Sequence, residues 1–567
     1  MSLSSLGDEP ARGTEQQQVE PKRMVTILKS PFADVALDFH KNFGGYILEH
    51  LRLNPRSKWI NATSHEEQTY GELADQVVAV HAALESLGVC AGDRLCLIVA
   101  NRLELLPMLV GAACANVGVA YECPGYAVDV LTEKMKDIQF TAICCETSDI
   151  DSALELKAML PTIKHIICLG ETTTVPPDGE GAVVSWSELI RMGTDACRLA
   201  APSVEYQVNR ICYMNSTSGT TGKPKMVVHC HDSLVASLQA NSHRQHMGLT
   251  VEDVLLCTGT LGHVYALFDC ACKAIVQGAT CAFLEKGSAD ALLEALQRFK
   301  VSALSTVPYL ARCLLDHPQR SHYDLSRLQY VATGSNYISE HDAKRLFHEL
   351  HLKSFIQMYG QTEIVFIAGG LHDSPPRFAS IGRLGMGLEA MVIDTETRKP
   401  LGPMQHGELV VRGPGLMRGY WGRLDETYTD AEGWYGTGDE CYFDHEGWLY
   451  IVQRLSEFIY CRSIKMAPAD IEAVLLQCVD VKDCAVVGLP HPQAGQLPHA
   501  VIVPKKKSRH LDLEHYIRFV NERVPKQLQL EGGATLVDSI PRNKIGKLVR
   551  HELVNWLLQF RTQNDLK

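Results

Sequence analysis

The chain has 567 residues, 46% of them hydrophobic and 21% charged, with a formal net charge of −12. That length exceeds what one hydrophobic core serves, so at least two domains are expected, and the composition is that of a globular protein. The charge is uneven. Residues 457–567 carry 16 Lys+Arg against 12 Asp+Glu, a net +4, which leaves −16 on the rest. An acidic body argues against nucleic-acid binding.

In chain order, the first 23 residues are polar and include Asp and Glu, with no apolar stretch of the kind a leader needs. Residues 1–27 are expected to form a disordered tail. From residue 28 to about 200, apolar runs at 95–100 and 142–145 alternate with helical patterns at 70–87 and 103–117. That alternation predicts βαβ units and a parallel sheet. The longest nearly apolar run, 105–115, is 11 residues with Pro107 inside it, too short for a transmembrane helix. The βαβ rhythm recurs from 211 to about 370. A Gly- and Pro-rich stretch, 390–411, reads as an antiparallel β module, and 433–451 as turns and a strand. Beyond Glu457, patterns at 471–477 and 510–523 predict helices, and 485–488 and 500–503 predict strands, together a compact α+β unit.

The 19 cysteines name no metal site. Cys144 and Cys145 are adjacent, Cys270-x-Cys272 is too tight for a zinc knuckle, and no paired C-x₂-C occurs. His229-Cys230-His231 looks metal-like, but alternate side chains of a strand point to opposite faces and no second ligand cluster is evident. Free, buried thiols in a reducing compartment are the expectation. The chain ends Asp565-Leu566-Lys567 rather than Ser-Lys-Leu, so cytosol is expected, with the peroxisome a minor alternative.

The most chemically loaded segment runs Asn215-Ser216-Thr217-Ser218-Gly219-Thr220-Thr221-Gly222-Lys223-Pro224-Lys225. Glycines let backbone N–H groups approach an anion, hydroxyls add donors and lysines add charge, so the loop suits phosphate. Pro224 after Lys223 separates it from the NTPase P-loop, which needs Ser or Thr there. It is followed in order by Tyr359-Gly360-Gln361-Thr362-Glu363, Tyr435-Gly436-Thr437-Gly438-Asp439, Arg454, and Pro541-Arg542-Asn543-Lys544-Ile545-Gly546-Lys547. Together these motifs resemble the adenylate-forming superfamily of acyl-CoA synthetases, 4-coumarate–CoA ligases and firefly-type luciferases, over nearly the whole chain from about Leu28.

The resemblance implies an α/β fold: a large N-terminal domain (28–455) of two βαβ-type subdomains plus a small β-barrel, then a mobile α+β lid (456–567) hinged at Ser456. It implies a carboxylic acid attacking the α-phosphate of ATP, then transfer of the acyl group to coenzyme A, with Mg²⁺ required. Thr217, Ser218, Gly219, Thr220, Thr221 and Lys225 would hold the β- and γ-phosphates. Gln357 would help to bind ATP, Tyr359 would stack on adenine, Thr362 would touch the α-phosphate, and Glu363 would ligate magnesium. Asp439 and Arg454 would hold the ribose, and Lys547 would reach the reacting oxygens from the lid. His263, a catalytic candidate, with Tyr265, Ser335 and Gly360, would line the acyl pocket. Lys286, Arg462 and Ser463 would meet coenzyme A.

Departures from the pattern bear on the second half-reaction. The hinge charge is replaced by Ser456, a lysine by Tyr460 and a glycine by Ser463. Met226 stands where a small residue is usual, as in medium-chain fatty-acid synthetases, and Thr333-Gly334-Ser335-Asn336-Tyr337 replaces a Gly-Ala-Pro stretch. The expected activity is thus an ATP-dependent acyl-CoA ligase. An adenylation-only or non-catalytic acyl binder and a luciferase-type oxidative enzyme stand as alternatives. The acid (fatty, aromatic or branched) and the oligomeric state stay open.

Overall fold

The computed structural model describes residues 27–32, 36–170, 183–200, 202–217, 225–335, 338–462, 464–505, 512–524, 526–542 and 548–564. The expected tail, most of the glycine-rich loop, Ser463 and Lys547 therefore lie outside the described residues.

Two sheets carry the large domain. One has eight strands in the order Gly419–Tyr420, Met226–Cys230, Ile211–Ser216, Gly118–Glu122, Arg94–Ile98, Ala142–Cys145, His165–Cys168, Val183–Ser185. From Ile211–Ser216 onward its neighbours are parallel. Such strands are buried on both faces and read as continuous apolar runs. The second sheet has nine strands, with a parallel centre running from Ser354–Tyr359 through Val254–Cys257 to Lys58–Asn61. Helices between them are apolar all round where they are sandwiched. Every residue of Leu105–Cys114 is buried, and Pro107 sits in its first turn, where no intrahelical N–H bond is lost.

A five-stranded antiparallel sheet, Leu28–Lys29, Glu389–Ile393, Gly407–Arg412, Tyr435–Phe443, Leu449–Arg454, occupies the place of the expected β-barrel. Its last two members replace the single strand predicted over 433–451, because Gly447 at φ +80° turns the chain back. The C-terminal region is built on the long antiparallel pair Val481–His491 and Gly495–Pro504, with helices Pro468–Leu475 and Leu513–Asn521 packed on it. No helix among the described residues is long and apolar enough to cross a membrane.

Candidate active site

The strand Ile211–Ser216 delivers the glycine-rich loop to the C-terminal edge of the first sheet. The loop's ends are clamped: Thr217 N donates to Lys225 O at 2.8 Å, and Lys225 N donates to Thr217 Oγ1 at 3.4 Å. Asn215, buried, donates to the Gly262 carbonyl at 2.5 Å, and Tyr213 Oη donates to the same oxygen. The loop strand is thereby tied to the segment carrying His263.

These elements surround a cavity of about 1140 Å³. It is lined by Thr217, Lys225, Thr362, Glu363 and Arg454 on one side and by His263, Tyr265, Ser335 and Gly360 on the other. Those nine expected site residues are brought together. Gln357 is not on the lining: it is buried in its strand and its amide donates to the Phe378 carbonyl at 2.6 Å. Lys286 is exposed in a loop away from the cavity. Arg462 is exposed at φ +48°, and its guanidinium is engaged by Glu531 at 3.0 and 2.6 Å.

The Tyr359–Glu363 turn is backbone-determined. A Cβ on Gly360 would lie 1.7 Å from the Val365 carbonyl oxygen, so only glycine fits. Val365 itself sits at φ +38°, rare for a β-branched residue and a mark of a constrained turn. Beneath the turn, His229 Nε2 donates to the Thr362 carbonyl at 2.7 Å, and burial lowers its pKa to about 4. His229 is thus a neutral strut. His231 begins the next helix, and its Nδ1 accepts from Phe43 N at 3.0 Å, so this pair holds the fold rather than a metal.

Tyr359 and Asp439 lie one layer behind the lining. Tyr359 Oη donates to Asp439 Oδ2 at 2.5 Å, and Gln361 Nε2 donates to the same oxygen at 2.7 Å and to the Thr437 carbonyl at 2.8 Å. Gly438 takes φ +70°, the left-handed turn that sets Asp439 opposite Arg454, at 3.6 Å. Burial works against the Arg454 charge, but Asp439, Tyr359 and Glu363 more than offset it and hold its pKa above the ordinary value. Glu363 Oε1 accepts from Tyr420 Oη at 2.9 Å, and Lys225 Nζ lies 4.8 Å from the centre of the Tyr420 ring. Tyr420 therefore joins the expected phosphate lysine to the expected metal ligand. It escaped the sequence reading because it stands alone between motifs.

Glu122 and Lys134 also escaped. They form an ion pair on the cavity wall, Glu122 buried and Lys134 half-buried, and Ser216 Oγ donates to Glu122 at 3.2 Å. On the acyl side, Tyr265–Cys272 is a π-helix, and Tyr265 Oη is 2.7 Å from Ser305 Oγ. Asp269 reaches the same wall, accepting from Asn241 Nδ2 at 2.8 Å, while Lys273 Nζ donates to Asn241 Oδ1 at 3.1 Å. Burial pushes the Asp269 carboxyl well up and lowers Lys273 to about 8. The C-terminal region closes one side: Val549 and Glu552 line the cavity, and Arg542, bound to Asp483 at 2.9 Å, lies 5.4 Å from the Tyr309 ring centre. Arg542 and Leu548 are bridged antiparallel, so both ends of the Lys547 segment meet at this edge.

Residues 49–421 match the family model described as AMP-binding enzyme. The chain belongs to that family. Residues 470–547 match the AMP-binding enzyme C-terminal domain. A 4-coumarate–CoA ligase of Pinus taeda is 26% identical over 542 residues, 94% of this chain and 98% of that protein. Among solved structures, ATP-bound MatB from Rhodopseudomonas palustris aligns with a TM-score of 0.78 at 22% identity, covering 90% of this chain and 98% of that one. The amide bond synthetase McbA from Marinactinospora thermotolerans aligns at 0.76 and 24%, covering 90% and 99%. The structural likenesses show the adenylate-forming fold, a large N-terminal domain with a small C-terminal one. The family is that of adenylate-forming acid ligases, for which ATP is the fitting nucleotide.

Proposed function

We propose that this AMP-binding enzyme activates a carboxylic acid as its acyl-adenylate and passes the acyl group to coenzyme A. The observation that carries the reading is the single cavity that runs from Thr217, Lys225 and Thr362 to His263 and Tyr265. It gives an acid and a nucleotide one place to meet, with the loop strand hydrogen-bonded to the acyl segment through Asn215.

Residues 28–455 act as the body and 456–567 as the lid, hinged at Ser456. Two anions must be brought together, so the site's work is positioning and charge neutralisation. Lys225 and the hydroxyls of the loop hold the β- and γ-phosphates. Thr362, fixed from below by His229, presents its side chain to the α-phosphate. Asp439 exchanges the Tyr359 and Gln361 hydrogen bonds for those of the ribose hydroxyls. Glu363 fits a hard cation: an oxygen donor on the cavity wall, oriented by Tyr420, where bound magnesium would neutralise phosphate charge. Lys547 enters from the lid to meet the oxygens that gain charge as the acid attacks.

A second reading, adenylation without thioester formation, is favoured by Ser456, Tyr460 and Ser463 and by the engagement of Arg462 with Glu531. Pyrophosphate release and coenzyme-A-dependent thioester formation, measured side by side over fatty, aromatic and branched acids, separate the two. Thioester from any acid supports the ligase. Pyrophosphate without thioester across the panel supports the second reading, and light emission with luciferin would point to oxidative chemistry instead.

A further inference from the structure

The lid holds a cluster of soft and hard donors that the adenylation chemistry does not use. Cys478 lies in the turn after helix Pro468–Leu475, Asp480 just before strand Val481–His491, and His515 in the first turn of helix Leu513–Asn521. One turn, 476–480, thus sends a sulfur and an oxygen, and helix Leu513–Asn521 a nitrogen, to one point. Cys478 Sγ is 3.9 Å from His515 Nε2, Asp480 Oδ2 is 3.2 Å from the same nitrogen, and all three donor atoms lie within 4.8 Å of one another. We propose that Cys478, Asp480 and His515 form a transition-metal site, of the zinc class, that staples the lid.

The geometry separates this from a nucleophilic triad. In a Cys-His-Asp relay the thiol and the carboxylate sit on opposite ring nitrogens, so that a proton taken at one is balanced at the other. Here both face Nε2, which serves a shared cation and not a relay. Zinc binds sulfur at about 2.3 Å and nitrogen or oxygen at about 2.0–2.2 Å, so tetrahedral donors stand roughly 3.3–3.6 Å apart. The two separations to His515 Nε2, 3.9 and 3.2 Å, are within a few tenths of an ångström of that, and the sulfur and carboxylate lie within 4.8 Å of each other. The mixed sulfur, nitrogen and oxygen set suits zinc and disfavours magnesium and calcium, which take oxygen.

The surroundings are consistent with a structural site. Burial holds the Cys478 thiol above its ordinary pKa and the Asp480 carboxylate adds to this, while hydrogen bonds from the backbone of Asp480 and Val481 and the charge of Arg523 offset part of it. The Arg523 guanidinium is itself engaged with the Phe519 carbonyl and Glu522. Cys478 is buried, whereas the Asp480 and His515 side chains are 20% and 30% exposed, leaving solvent to supply a fourth ligand. None of the three lines the adenylation cavity. A metal there would pin both helices to the start of the strand, stabilising the lid by mass action.

The test uses the full chain, stripped with chelator and titrated with Co²⁺ and with Zn²⁺. One Co²⁺ per chain should give a near-ultraviolet sulfur-to-metal charge-transfer band with tetrahedral visible bands, and Zn²⁺ should raise the melting temperature. Cys478→Ser should abolish the charge-transfer band. His515→Ala should weaken binding by more than the roughly 10–100-fold that loss of an outer-shell partner costs. Should Cys478→Ser fail to fold, judged by lost pyrophosphate release, Asp480→Asn keeps the sulfur and should lower affinity alone. Absence of stoichiometric Co²⁺ binding overturns the site. So does a charge-transfer band that persists in Cys478→Ser, since it would come from another of the 19 cysteines.

Discussion

On the nucleotide side of the cavity, the polar groups come from two short contiguous turns, Tyr359–Glu363 and Thr437–Asp439, which bond each other through Tyr359, Gln361 and Asp439. On the acyl side they come from far apart. Asn241 meets Asp269 and Lys273, and Ser305 meets Tyr265 and Cys270, only because a π-helix is folded against Ala303–Thr306 and His231–Asn241. The first arrangement is a set of backbone-shaped turns offered to a ligand. The second is a buried network in which Asn241 bridges Asp269 and Lys273, and Asp269 reaches the cavity wall. Loss of a nucleotide-side group should therefore cost activity, and loss of an acyl-side group should cost fold and selectivity.

The largest effect expected on this division is at Lys547. On the proposed reading, Lys547→Ala removes a cation that acts only when charge develops at phosphorus, and such a positioned group is worth roughly 10²–10³ in rate, about 3–4 kcal/mol. Adenylate formation, followed by pyrophosphate release, should collapse, while single-turnover use of purified acyl-adenylate survives. Equal loss in both steps would show a folding defect and erase the distinction.

Asp269→Leu probes the other half. It leaves Asn241 and Lys273 without their carboxylate in a buried site, a change that costs about 3 kcal/mol when one member of such a network is removed. The urea midpoint should fall with the KM for ATP unchanged, and adding Lys273→Met should recover much of the loss. Asp439→Asn should do the reverse, raising the KM for ATP by roughly tenfold as a charged hydrogen bond is lost, with the urea midpoint nearly unmoved. If both variants move the same quantity, the two halves are not separable.

The same division explains what could be read from the chain. The order of sheets and helices was legible because parallel strands are continuous apolar runs, and the nucleotide half because its residues are contiguous. The Glu122–Lys134 pair and the Asp269 network were not, since each unites residues that sequence separation hides. Helix ends were missed by a few residues: the pattern over 103–117 became Leu105–Cys114, and 510–523 became Leu513–Asn521, where the Asp512 cap rather than the apolar period fixes the start. Gln357, expected to help bind ATP, instead spends its amide on a backbone carbonyl, a contact only tertiary packing decides.

Acidity should act across both halves. Burial lowers His229 and His231 to about 4 and His246 to about 3, against about 6.5 when unfolded. The unfolded chain therefore binds more protons below pH 6.5, and stability must fall as pH drops from 6.5 toward 4, by roughly 1.4 kcal/mol per pH unit for each proton taken up. Denaturation midpoints measured across that window should show the slope, and His229→Gln should flatten it. A stability flat from pH 6.5 to 4.5 would mean these rings are protonated in the fold.

The smallest expected effect lies in the lid, at Ser463, which falls outside the described residues. Its neighbours define the question. Strands Ile459–Cys461 and Ile464–Met466 are paired antiparallel with two residues between them, and Arg462, the first, is already left-handed at φ +48°. Two-residue hairpins of that kind favour glycine at the second position. On the ligase reading this turn borders the path of the coenzyme A arm, so Ser463 adds a Cβ and a hydroxyl where close approach is wanted. Thioester formation should then be slower than adenylation, and Ser463→Gly should speed it by up to about tenfold, which needs only about 1.4 kcal/mol of relieved crowding. Adenylation, which the nucleotide half governs, should not change. Single-turnover transfer from purified acyl-adenylate to coenzyme A reads the step directly. An unchanged rate would place the turn away from the thiol's path, whereas a gain shared equally by both half-reactions would trace to lid stability and not to the tunnel.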